Sequence, residues 1–197
     1  MNPGLIATVF AIVAIAELPD KTMIATLIMG TRARPLFVWI GAVAAFTVHV
    51  TLAVVAGRLL TLLPHTAVEI IVTTLFLAGA AYLILVPEKS EITKGEREAE
   101  PERAGPPWRV IATAFGVILV GEFGDLTQLL VVNFVARTHE PISVFIGALA
   151  ALVGVSAIGA FGGRALLRLV PLAVLRRVGG LVLLGFAAYS LYALVSP

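Results

Sequence analysis

The chain has 197 residues, of which 59% are hydrophobic and 13% charged, with a net charge of +2 and no cysteine. A soluble domain carries about a quarter charged residues because its surface faces water, so one soluble core does not fit this composition. The missing cysteines exclude disulfides, thiolate metal sites and a cysteine nucleophile, and the basic residues form no patch of the kind nucleic acid needs.

Six apolar segments follow in chain order: Leu5–Met29, Leu36–Leu63, Ala67–Val86, Val110–Val135, Ile142–Leu169 and Leu172–Val195. Leu36 to Gly57 holds 22 residues without Asp, Glu, Lys or Arg, and a run of about 18 or more predicts a membrane-spanning helix. Pro35, Pro64, Pro141 and Pro171 stand at the breaks, where a missing N–H and a fixed φ end helices. The first segment has neither a basic flank nor a small-residue cleavage site, so no cleavable signal peptide is expected. Between the third and fourth segments, residues 88–108 carry Glu88, Lys89, Glu91, Lys94, Glu96, Arg97, Glu98, Glu100, Glu102 and Arg103. This stretch is too polar to bury anything and reads as a flexible linker; concentrating cations at a pore mouth is the less ordinary reading of the same charges.

Eleven basic residues (Arg32, Arg34, Lys89, Lys94, Arg97, Arg103, Arg109, Arg164, Arg168, Arg176 and Arg177) fall on one side of this arrangement, and two, Arg58 and Arg137, on the other. The asymmetry places the first side in the cytoplasm and both termini outside.

The two halves of the chain repeat each other in one order. Ile6-Ala7-Thr8 recurs as Ile111-Ala112-Thr113, and Ile40-Gly41-Ala42 as Ile146-Gly147-Ala148. Gly57-Arg58 recurs as Gly163-Arg164, and Ala80-Ala81-Tyr82 as Ala187-Ala188-Tyr189. Each half holds three helices, an odd number, so the second copy enters the membrane upside down. The expected fold is therefore an all-α membrane protein of six transmembrane helices in two inverted repeats: residues 1–87, a charged cytoplasmic linker 88–108, and residues 109–197. Transporters of this architecture bind substrate near the midplane, where the repeats meet.

Five charged residues lie well inside the apolar spans: Glu17, Asp20, Lys21, Glu122 and Asp125. A charge at that depth is costly and faces a cavity or a partner. Each carboxylate pair has i, i+3 spacing, which puts both members on one helix face, and inverted repeats can bring the pairs together. Four carboxylates alone repel, and a hard divalent cation removes that penalty. Oxygen ligands suit Ca²⁺, Mn²⁺ or Mg²⁺, and protons can replace a departing ion. Pro19 frees the carbonyl of Ile15 and Gly124 permits a similar opening, the alternative being a simple kink. Thr22 and Thr127 could add hydroxyl oxygens or bond back to their own helices. Gln128 and Asn133 could ligate, although helix–helix hydrogen bonding is commoner. His49 reads as a packed, hydrogen-bonded histidine, and Met23 as packing. Lys21 either offsets one negative charge or turns away, and its counterpart Leu126 can do neither.

Glu17-Leu18-Pro19-Asp20-Lys21-Thr22 and Glu122-Phe123-Gly124-Asp125-Leu126-Thr127 resemble the paired Glu-x-Gly-Asp-(Lys/Arg)-(Thr/Ser) signature of the Golgi-type calcium/manganese transporters and their bacterial manganese-exporter relatives. The resemblance implies cation–proton antiport, with Glu17, Asp20, Glu122 and Asp125 on the ion and Thr22 and Thr127 in support. Pro19 in place of the motif glycine and Leu126 in place of the basic residue are departures that bear on ion preference and coupling rather than on fold. The expectation is a transporter moving Mn²⁺ or Ca²⁺ out of the cytoplasm in exchange for protons, in a bacterial inner membrane. Its partners are lipid, divalent cations and protons, the cation is cargo, and no resident cofactor is expected. An exporter of organic cations or amino acids lacks a matched anion site, and a passive channel is a further alternative. An intramembrane aspartyl protease fits poorly, because the Gly121–Asp125 spacing is wrong and no Tyr-Asp partner exists.

Overall fold

The structure is a computed structural model. It describes residues 1–17, 21–60, 106–122 and 125–169, with scattered positions between 62 and 85 and between 181 and 192; residues 21, 22, 126 and 163–169 are described in backbone only. Six helices make up the continuous part: α1 (Pro3–Glu17), α2 (Lys21–Arg32), α3 (Pro35–Leu60), α4 (Pro107–Gly121), α5 (Leu126–Thr138) and α6 (Pro141–Leu169). No strand occurs among the described residues. Four of the six begin on proline, whose missing N–H is an orphan donor at that position in any case.

These are not the six expected spans. The first expected segment is two helices, α1 and α2, and the fourth is likewise two, α4 and α5. The third and sixth segments and the linker lie largely outside the described residues. The physical reason for each break is local. Pro19 cannot donate the bond that would continue α1. In the second half, Glu122 leaves helical geometry at φ −98°, ψ 1°, and Asp125 is extended at φ −73°, ψ 167°. Helix α1 has 15 residues. Helix α2 has 12 residues. A helix rises about 1.5 Å per residue, so neither can cross a bilayer core of about 30 Å. By contrast α3 and residues 141–162 of α6 are long and apolar enough to do so.

The unbroken helix of each half packs against the broken span of the other. Helix α3 lies on α4 and α5, α6 lies on α1 and α2, and α3 and α6 also pack on each other. Close backbone contacts show the direction of these pairings. A side chain at Gly147 would strike Ile6 and Val9, and one at Gly159 would strike Met23 and Thr26, so α1 and α2 run along α6 in the same sense. A side chain at Gly41 would strike Ile111 and Ala114, and one at Gly57 would strike Val132 and Val135, so α4 and α5 run along α3 in the same sense.

Small and branched residues fill the centre: Val9 and Val13 from α1, Ala42, Ala45, Val50 and Ala53 from α3, Val131 and Val135 from α5, and Ala148 and Ala151 from α6. Small residues let backbones approach where lipid supplies no hydrophobic drive between helices. Large apolar side chains face outward instead, among them Phe10, Leu52, Val55, Leu59, Ile158 and Phe161. The hydroxyls of Thr8, Thr47, Thr51 and Thr138 donate to the carbonyl four residues earlier, which satisfies them without water. Helix α5 closes at His139, which sits in the left-handed region at φ 55° and whose N–H bonds the Val135 carbonyl. A left-handed residue is a common way to end a helix.

Candidate metal centre

Both helix breaks deliver carboxylates to one place. Glu17 is the last residue of α1, Glu122 caps α4, and Asp125 precedes the first residue of α5. One oxygen from each of the three lies within 4.8 Å of the other two. Glu17 and Glu122 are buried, and Asp125 is partly so. The local folding explains why these oxygens are presented. The Glu122 N–H bonds the carbonyls of Ile118 and Val120, and the Asp125 N–H bonds the Glu122 carbonyl at 3.1 Å, closing a turn between the two helices. Asp125 makes no side-chain cap on α5, so its carboxylate faces the cluster rather than its own helix end.

Carboxylate oxygens this close, within 4.8 Å, repel when both groups are ionised. The repulsion is about 3 kcal/mol at an effective dielectric near 20. Ca²⁺–oxygen distances of about 2.3–2.6 Å place opposite ligands of one ion about 5 Å apart, a span that this cluster matches. The donors are all hard oxygens, and no cysteine exists to favour a soft metal.

Around the cluster, Thr127 is buried on the first turn of α5. Gln128 meets Nδ1 of His49 through its amide nitrogen, and His49 is itself buried in the middle of α3. Asp125 lies within electrostatic reach of the same ring.

The structure thus brings together Glu17, Glu122 and Asp125, with Thr127 and Gln128 alongside. Asp20, Pro19 and Gly124 lie outside the described residues, as do the side chains of Lys21 and Thr22. His49 is hydrogen-bonded, as expected, but beside the cluster rather than in plain packing. Its placement inside a long uncharged run was the available signal. Asn133 departs from expectation: among the described residues, neither its Oδ1 nor its Nδ2 has a hydrogen-bond partner, although the residue is buried.

Among the described residues, helices with outward apolar side chains around a cluster of three largely buried carboxylates define a membrane protein of the class that handles cations. The particular family follows from comparison with known sequences. The profile of the divalent cation/proton antiporter GDT1 matches this chain twice, over residues 5–91 and 110–196. The chain belongs to the GDT1 family of membrane-embedded divalent cation/proton antiporters, and the resemblance of its paired motifs is borne out. It is 23% identical over 193 residues to the GDT1-like protein sll0615 of Synechocystis sp., covering 91% of this chain and 92% of the relative. It is 24% identical over 212 residues to the chloroplastic protein PAM71 of Arabidopsis thaliana, covering 96% of this chain but 57% of that longer protein. No solved structure matches.

Proposed function

We propose that this chain exports a divalent cation, Mn²⁺ or Ca²⁺, from the cytoplasm in exchange for protons, with Glu17, Asp20, Glu122 and Asp125 as the ion's principal ligands. The observation that carries the reading is the approach of Glu17, Glu122 and Asp125 to within 4.8 Å in a largely buried site. Thr22, Thr127 and Gln128 assist with neutral oxygens. Pro19 and Gly124 free carbonyls at the breaks. Carboxylates that crowd together without the ion attract protons in its place, which couples the two fluxes.

The chain is read as two inverted repeats in a bacterial inner membrane, with residues 88–108 in the cytoplasm and both termini outside. Support comes from the twofold match to one family profile and from paired contacts. Gly41 against Ile111 corresponds to Gly147 against Ile6, the same two matched positions with the halves exchanged. Helix α6 follows α5 after two residues, and so short a connection turns neighbours antiparallel. Because α6 runs with the first broken span and α3 with the second, the two broken spans then run in opposite senses.

The test is transport by the purified protein in proteoliposomes, with Mn²⁺ and Ca²⁺ measured separately, with and without a pH gradient. Ion movement driven by an opposing proton gradient is the expected result. Movement that ignores the gradient indicates a channel, and no movement of either ion refutes the reading.

A further inference from the structure

We infer that transport proceeds by rocking of two bodies, α1 with α2 and α6 against α3 with α4 and α5, and that Trp39 latches the cytoplasmic end of the seam between them. Each body combines parts of both halves of the chain. This rests on the proposed transport function and orientation.

The packing divides the described helices. Helices α1 and α2 lie chiefly on α6, α4 and α5 lie chiefly on α3, and the broadest contact between the two groups is that of α3 with α6. The close backbone approaches follow the same division. Gly147 meets Ile6, Gly30 meets Ala160 and Gly159 meets Met23 within one body, while Gly41 meets Ile111 and Gly57 meets Val132 within the other. Among the described glycines, none interlocks backbones across the α3–α6 seam. Interlocked backbones resist deformation, whereas side-chain interfaces repack between discrete arrangements. The candidate ion ligands straddle the division: Glu17 ends α1 in one body, and Glu122 and Asp125 stand between α4 and α5 in the other. An ion held between two bodies is reached only when they part on one side, and rocking of one bundle against another is how repeat-built transporters alternate access.

On the cytoplasmic side, α2 meets the other body through Met29, which packs with Val38 of α3 and Ala114 of α4, all three buried. Beside Val38, Trp39 reaches across the seam. Its indole N–H donates to the Val153 carbonyl of α6 at 3.1 Å, and its ring lies edge-on to Phe161 of α6 with centroids 6.2 Å apart. The corresponding residue of the other half is Phe145, which precedes Ile146-Gly147-Ala148 as Trp39 precedes Ile40-Gly41-Ala42. A phenylalanine ring has no N–H to donate. The indole bond is thus made at the cytoplasmic end and cannot be copied at the outer end, and it biases the bodies toward closure on the cytoplasmic side.

The experiment uses the full chain, which has no native cysteine, in inside-out membrane vesicles. Met29→Cys reports opening of the cytoplasmic seam by its rate of reaction with a water-soluble maleimide. A hydrogen bond between membrane helices shifts an equilibrium by about 3-fold and at most about 20-fold. Met29→Cys/Trp39→Phe, which copies the Phe145 end, is therefore expected to react faster than Met29→Cys by a factor in that range. An unchanged or slower rate overturns the latch.

Two cysteine pairs, bridged by a short, reducible bifunctional thiol reagent, test the bodies. The Asn2 N–H donates to the Ser143 hydroxyl at 2.9 Å, a contact within one body but between the two halves of the chain. Asn2→Cys/Ser143→Cys is expected to transport Mn²⁺ as fast bridged as unbridged. Trp39→Cys/Phe161→Cys spans the seam and is expected to lose transport when bridged and to regain it on reduction. Arrest of the first pair, undiminished transport by the bridged second pair, or failure of either pair to bridge overturns the two bodies. A wild type that moves neither Mn²⁺ nor Ca²⁺ refutes the transport function itself, whereas the labelling comparison needs no transport and still decides the latch.

Discussion

The carboxylates of Glu17 and Glu122, one from each half of the chain, approach to within 4.8 Å where two broken helical spans meet. Without a cation this proximity is destabilising, and with one it is the binding determinant. Glu17→Gln and Glu122→Gln are each expected to raise the melting temperature of the metal-free protein and to abolish the further rise that Mn²⁺ or Ca²⁺ gives the wild type. An ion at about 100 times its Kd contributes about 2.7 kcal/mol to the folded state. Thermal unfolding in detergent with and without ion checks both signs, and a persisting ion-induced shift in either variant contradicts the assignment.

Orientation is accessible because the chain has no native cysteine. A cysteine introduced at Ser90 is expected to resist an impermeant thiol reagent in intact cells and to react after permeabilisation, whereas one at Ser196 reacts from outside. The reverse pattern inverts the proposed topology and, with it, the direction of transport.

Glycines within these helices are predicted to behave in opposite ways according to what they face. A Cβ at Gly41 would sit 2.5 Å from the Ile111 oxygen, and one at Gly147 would sit 2.6 Å from the Ile6 oxygen. Gly41→Val and Gly147→Val should each destabilise by about 1–3 kcal/mol, the usual cost of overpacking. Gly116 and Gly154 have nothing within 4 Å of the same position. Alanine there should be neutral or stabilising by up to about 1 kcal/mol through helix propensity. Comparable melting temperatures across all four variants would contradict the contact geometry.

Asn133 is buried, with no hydrogen-bond partner for its amide among the described residues. An orphaned polar group costs about 1–3 kcal/mol, so Asn133→Leu is expected to raise the melting temperature. A clear fall would show that the amide is satisfied in the membrane.

Much of this architecture was legible in the residues. The uncharged run from Leu36 to Gly57 marked α3, and Pro35 and Pro141 marked the starts of α3 and α6. The carboxylates of Glu17, Glu122 and Asp125 stood out because charge inside an apolar span is costly. Hydropathy could not reveal that the first and fourth spans are each two helices, since so brief an interruption leaves the apolar average unchanged. The place of His49 was hidden for another reason. Its partner, Gln128, is 79 residues away, on a helix that only the cross-packing of the two halves brings beside α3. Asn133 misled because an amide in a helix looks the same in sequence whether or not another helix answers it.

At Gly30, Gly41, Gly57 and Gly147, the hydrogen standing where a side chain would begin is aimed at a main-chain oxygen, of Ala160, Ile111, Val132 and Ile6 respectively, and a carbon in its place would overlap that oxygen. These seams are therefore sites of Cα–H···O=C attraction, worth about 0.5–1 kcal/mol each. Such attraction does not depend on expelling water, and acyl chains offer the backbone nothing better in exchange. The frame that carries the two broken spans should accordingly hold the same spacing in a thick bilayer, a thin one or a detergent micelle.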